Sequence, residues 1–204
     1  MATAPAPTAA PNPFDKGYFR SEELRKFGFA SVGDNVQIAK TCTIIGLPNI
    51  RIGNNVRIDD NVSIIAAKGQ VTLGSYIHIG GGSYLAGTGG ITLSDFSAMS
   101  QGVRVYSITD DYSGGHLTNP TIPVKYLGLK IAPVIFGRHV IIGSGSVILP
   151  GCHIGEGTSV GALSLVTKSL EPWSVCLGSP AKRLWARSKD LLEMEKQFLA
   201  EQNK

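Results

Sequence analysis

Apolar residues recur at a step of six along most of this chain. Phe136, Ile142, Ile148, Ile154, Val160 and Val166 form the clearest run, and four of the six are followed by glycine. Earlier triplets at the same step are Val32, Ile38, Ile44, then Ile52, Ile58, Ile64, then Leu73, Ile79, Leu85, and then Leu93, Met99, Val105. Only 43% of the residues are apolar, so chance would fill fewer than half of these places. A step of six fits neither the 3.6 of a helix nor the simple alternation of a strand. It is the period of a parallel β-helix, whose short strands bury too little alone and share one core when stacked. The glycine after an inward residue lets the backbone turn where a Cβ would clash. Three hexads make one triangular coil of about 18 residues. Steps of 8, 9 and 8 residues between the triplets read as two or three extra residues at one corner of each coil.

The flanks and one interruption break the pattern. Residues 1–20 begin as an Ala/Pro/Thr arm without the basic and apolar segments of a secretory signal. From Ser21 to Phe27 a serine followed by two glutamates predicts a short helix. The repeat domain is expected over 21–185, interrupted by an excursion loop at 107–134 that carries acidic, aromatic, glycine and proline residues. Loops of that length without their own periodicity tend to be functional. Over 186–204, Leu191, Leu192, Met194, Phe198 and Leu199 at helical spacing predict a C-terminal helix that packs on the coil end or on a neighbouring subunit.

Charge and composition narrow the function. A net charge of +4 is carried by a chain only 17% charged, with no basic run interleaved with aromatics, so nucleic acid is not expected as a partner. No stretch of 18 apolar residues predicts a membrane span. Cys42, Cys152 and Cys176 are widely spaced and read as free buried thiols. With no span and no signal, the expected compartment is the cytoplasm.

The segment Ile141–Leu184, ending in the sequence GSPAKRL, together with the repeat over residues 30–185, resembles the hexapeptide-repeat acyltransferases, in the branch of galactoside, maltose and polysaccharide-biosynthesis acetyltransferases. The resemblance implies a left-handed parallel β-helix, acetyl-CoA as cosubstrate with no metal, a sugar acceptor, and a homotrimer with active sites between subunits. It further implies that Ser144 and Ala162 meet the pantetheine arm, and that Thr167, Lys168, Lys182 and Arg183 lie where relatives contact the CoA nucleotide and phosphates. Ser144 and Ala162 also fit the small corner residues that any such coil needs, and the basic cluster fits a solvated face.

The chain departs from the family at the proton acceptor. Sugar acetyltransferases carry a histidine shortly after the last hexad before the loop, and that place here is Asp110. Attack on a thioester needs a base on the acceptor and a donor for the oxyanion. An aspartate with its ordinary pKa of about 3.9 suits an ammonium acceptor better than an alcohol. The expected reaction is therefore N-acetylation of a nucleotide-linked amino sugar for surface polysaccharide, with O-acetylation as the alternative. Asp111 and Tyr112 are candidates to bind substrate, and His116 or His78 to assist Asp110. His139 and His153 read as plain surface residues. Asn54, Asn55, Asp59, Asp60 and Asn61 read as corner residues that tolerate left-handed backbone. A metal-dependent hydratase with three histidines, or a non-catalytic scaffold, are the readings from other classes; the histidines lack the close pair that the former needs.

Overall fold

The computed structural model describes residues 12–202, so residues 1–11 of the Ala/Pro arm lie outside it. The repeat winds into a parallel β-solenoid with three faces. The first face stacks Gln37–Ala39, Val56–Ile58, Ile77–Ile79, Ala98–Met99, Ile141–Ile142, Ser159–Val160 and Ser174–Leu177. The second stacks Thr43–Ile45, Ser63–Ile65, Tyr84–Ala86, Arg104–Tyr106, Val147–Ile148 and Leu165–Val166. The third stacks Ser31–Val32, Ile50–Ile52, Val71–Leu73, Ile91–Leu93, Val134–Phe136 and His153–Ile154. Each strand pairs in parallel with the equivalent one a coil away, as Ile58 does with Ile79 and Leu85 with Val105.

The residues at the six-step are the core. All are buried except Val32 and Ile44 in the first coil, which are half-buried and pack against the cluster. Each fully buried aliphatic side chain contributes roughly 1.5–3 kcal/mol through area removed from water. The loop leaves from the second face and returns to the third, so Ile91–Leu93 pairs directly with Val134–Phe136 across it.

Both ends are closed by non-repeat elements. Tyr18–Arg20 runs antiparallel to Gln37–Ala39, and Lys182–Ala186 runs antiparallel to Ser174–Leu177, covering both edges of the first face. Helix α1 is shorter than expected, Ser21–Leu24, and Ser21 is not its cap. The buried Ser21 hydroxyl accepts the Val36 N–H at 2.9 Å, while Glu23 accepts the Arg20 N–H at 3.0 Å. Helix α2 spans Leu191–Gln202 and does not cap the coil end. It lies along the corner between the third and first faces.

That corner is a column of left-handed residues: Asn35, Asn55, Tyr76, Phe96, His139 and Trp173. Asparagine takes this conformation readily, whereas an aromatic residue pays about 1–2 kcal/mol. Stacking offsets that cost. The Tyr76 and Phe96 rings are parallel at 4.6 Å, Phe96 and His139 at 5.1 Å, and Phe198 of α2 meets Tyr76 edge-on at 5.3 Å. Glu195 of α2 pairs with His139 Nε2 at 2.8 Å and with Arg138. His139 is therefore not the surface residue the sequence suggested; its side chain is 9% exposed. Cys42 is likewise only half-buried, whereas Cys152 and Cys176 are buried as expected.

Candidate active site

The excursion loop is anchored at its base. Ser107 is buried, with its hydroxyl donating to Ala86 O at 2.6 Å and accepting the Gly89 N–H at 2.8 Å. Ile108–Thr109 then pairs antiparallel with Lys130–Ile131, which ties the outgoing chain to the returning one. Asp110 is the first residue beyond this clasp, and its Oδ1 accepts the Asn119 N–H at 3.4 Å. A carboxylate so placed sits on a rigid stalk although it belongs to a loop.

Asp111 is organised differently. Its Oδ1 accepts the Ser113 N–H at 2.7 Å, and Oδ2 lies 2.8 Å from His116 Nδ1. Hydrogen bonds from Ser113 and His116 hold the Asp111 carboxyl well below the usual carboxylate range. Gly128 makes this pair possible, since a Cβ there would overlap the His116 imidazole. With Nδ1 committed to Asp111, Nε2 is the nitrogen left to face a ligand.

Asp110 lines two cavities. One, of about 540 Å³, lies between the loop and the second face and is walled by Ile108, Ile122, Val124, Leu127 and Leu129 from the loop and Tyr84, Ala86 and Tyr106 from the solenoid. The other, of about 380 Å³, holds Asp110, Asp111, Tyr112 and His116 together. The structure thus gathers four of the sequence-predicted residues at one place. His78 is elsewhere: it projects from the first face, with Nε2 2.8 Å from Asp59, whose other oxygen accepts from Arg57 Nε at 2.7 Å. Asp59 is therefore the centre of a small ion-paired cluster rather than a bare corner residue, whereas Asn55 and Asn61 do take left-handed corners.

The residues assigned to the donor lie apart from both cavities. Ser144 and Ala162 follow the first-face strands at the corner leading to the second face, joined by the Leu163 N–H donating to Ser144 O at 2.9 Å. Thr167 and Lys168 follow the last second-face strand, and Lys182 and Arg183 lie on the terminal antiparallel strand. Arg183 Nε donates to Ser174 Oγ at 3.2 Å, whereas the Lys182 ammonium has no hydrogen bond or ion pair among the described residues. Among the described residues no group of three His, Cys, Asp or Glu is arranged to hold a metal, and no helix is long and apolar enough to cross a membrane.

The aromatic column, and the docking of the expected C-terminal helix on it, were missed in the sequence. A signal was present, because Tyr76, Phe96 and His139 each stand three residues after an inward third-face residue, where the first coils carry asparagine.

Comparison with known proteins agrees with this architecture. Residues 133–168 match the family model described as bacterial transferase hexapeptide (six repeats). The chain is 42% identical over 181 residues to the dTDP-4-amino-4,6-dideoxy-D-glucose acyltransferase of Escherichia coli, covering 89% of this chain and 94% of that one. The crystal structure of AntD, an N-acyltransferase from Bacillus cereus, in complex with dTDP and 3-hydroxybutyryl-CoA, superposes with a TM-score of 0.88 at 43% identity, covering 93% of this chain and all of that one. A galactoside acetyltransferase in complex with coenzyme A shares the fold, with a TM-score of 0.55 at 23% identity, 83% of this chain and 70% of that one being covered. With the repeat, the anchored loop and these relatives in agreement, the chain belongs to the hexapeptide-repeat acyltransferases, in their sugar acyltransferase branch.

Proposed function

We propose that this enzyme transfers the acyl group of an acyl-CoA to the amino group of a dTDP-linked 4-amino-4,6-dideoxyglucose. The carrying observation is Asp110, a carboxylate held past a strand clasp and shared by two cavities, at the place where the sugar O-acetyltransferases carry histidine. In the reaction the amine nitrogen attacks the thioester carbonyl, its proton passes to Asp110, and the C–S bond breaks as the amide forms. The proton then leaves with the CoA thiolate. Pairing with an ammonium ion favours the ionised carboxylate, so an aspartate is matched to this acceptor.

The relatives support the assignment. AntD variants substituted at one serine, and others at an aspartate ten residues further on, were crystallised with coenzyme A and either dTDP or the dTDP-amino sugar. In this chain Ser100 and Asp110 are the one serine–aspartate pair at that spacing. Ser100 begins the corner that Ser144 and Ala162 continue in later coils, while Asp110 stands at the far edge of the second face. A site that uses both edges is completed by a neighbouring copy, which supports the trimer. Exposed Ile135 and Ile141 on the third and first faces offer apolar surface for that contact. Three free thiols and a CoA-linked donor fit action in the cytoplasm.

The test measures thiol release from acetyl-CoA and from 3-hydroxybutyryl-CoA, with the dTDP sugar carrying either an amino or a hydroxyl group at carbon 4. Turnover of the amine alone supports N-acyl transfer. Turnover of the alcohol at an equal or greater rate sinks the assignment.

A further inference from the structure

The second face carries a groove that the reaction itself does not explain. Ser63, Tyr84 and Arg104 stand directly opposite one another on three successive coils, and Tyr106 is diagonal to Tyr84 with ring centroids 5.8 Å apart. They line a cavity of about 300 Å³ with Asn61, and Tyr84 and Tyr106 also line the larger cavity that ends at Asp110. The two cavities therefore share a wall of two phenol rings.

The charges along this groove are ordered. Arg104 is the only charged residue of the smaller cavity, which has no carboxylate in its lining. Lys68 and Asp110 are the charges of the larger one. Among the described residues the Arg104 guanidinium and the two phenol hydroxyls have no hydrogen-bond partner; exposed Arg51 is unpaired too but lines no cavity with aromatic rings, whereas Arg25, Arg57 and Arg138 are each paired with an acid. An arginine without a partner beside two mutually tilted phenol rings gives a site for a ligand that is both anionic and aromatic. A guanidinium suits the fork of phosphate oxygens, the rings offer faces to a planar base, and Ser63 and Asn61 supply hydrogen bonds to its edge.

We infer that Arg104, with Tyr84 and Tyr106, forms the subsite for the nucleoside diphosphate of the acceptor. This rests on the reading of the acceptor as a nucleotide-linked amino sugar. In such a molecule the diphosphate on carbon 1 and the amine on carbon 4 are at opposite ends of the pyranose ring. Arg104 and Asp110 likewise stand at opposite ends of the shared aromatic wall.

The experiment is calorimetric titration of the full chain with dTDP alone and, separately, with CoA. Arg104→Ala should weaken dTDP binding at least tenfold and leave CoA binding unchanged, with Arg104→Lys falling between. Tyr84→Ala should also weaken dTDP, whereas Tyr84→Phe, which keeps the ring, should retain most of the binding. CoA binding reports that each variant is folded. If Arg104→Ala and Tyr84→Ala bind dTDP like the wild type, the subsite is overturned while the acyltransferase reading stands. If Arg104→Ala loses CoA and dTDP equally, Arg104 serves the donor and the inference fails. A wild-type protein that binds CoA but not dTDP overturns the nucleotide-sugar reading, and the subsite with it.

Discussion

His116 and Asp111 face one another at 2.8 Å within the excursion loop, in the cavity that Asp110 also lines. The pair fixes the imidazole of His116 against a carboxylate within a stretch that has no periodicity of its own. Asp111 is engaged on both oxygens, whereas Asp110 accepts a single hydrogen bond among the described residues, from the Asn119 N–H.

Asp110→Asn should lower kcat by about a hundredfold to ten-thousandfold, the usual contribution of a positioned base. The amide keeps the shape and the Asn119 contact, so the KM for acyl-CoA and the melting temperature should stay near wild type. Steady-state thiol release with the amino sugar checks this; a loss under threefold would remove Asp110 from the mechanism.

Gly128→Ala should act on the same site from outside it. The added methyl overlaps the His116 ring and separates it from Asp111. Activity should fall to the level of His116→Ala, and the double variant should be no worse than either single one, since residues of one unit are not additive. Additive losses would show that Gly128 acts independently of the pair.

Docking of helix α2 should depend on acid pH. Burial alone would push Glu195 up, but the hydrogen bond from His139 and the charge of Arg138 outweigh it and hold the carboxyl below its usual range. A lowered folded-state value means that the stabilisation is complete above the unfolded value of about 4.3 and is lost as pH falls from there through the folded value. Hydrogen exchange should therefore show residues 191–202 losing protection below about pH 4 while the solenoid amides keep theirs. Glu195→Gln should show that loss already at pH 7.

Leu85→Ala should destabilise the protein by about 2–5 kcal/mol, because the side chain is fully buried and the coils above and below cannot collapse into the space. Urea unfolding gives the value directly. A cost below 1 kcal/mol would show that stacked coils relax more freely than a globular core.

Much of the fold was legible because the six-step is a local signal with a single physical meaning. An inward residue, a small corner residue and a repeat are enough to specify a coil, and coils stack with whatever follows them. Residues such as Ile58, Ile79 and Met99 could be placed in the core without knowing their partners. Asp110, Asp111, Tyr112 and His116 could be grouped because they lie within seven consecutive residues.

What the sequence by itself determined was thus the solenoid, its register, the position of the interruption and the identity of the residues within it. Tertiary structure alone decided which of those residues touch. The Asp111–His116 pair depends on Gly128 returning close by, 12 residues later in the chain. His139 became buried because α2 folds back over a corner whose rings belong to three different coils. His78 was separated from Asp110 because a β-helix turns a corner between them, so that neighbours in the linear pattern project from different faces. Periodicity reports which way a side chain points from its own coil; contacts between an aperiodic segment and the coils depend on closure of the chain in space, which no local spacing encodes.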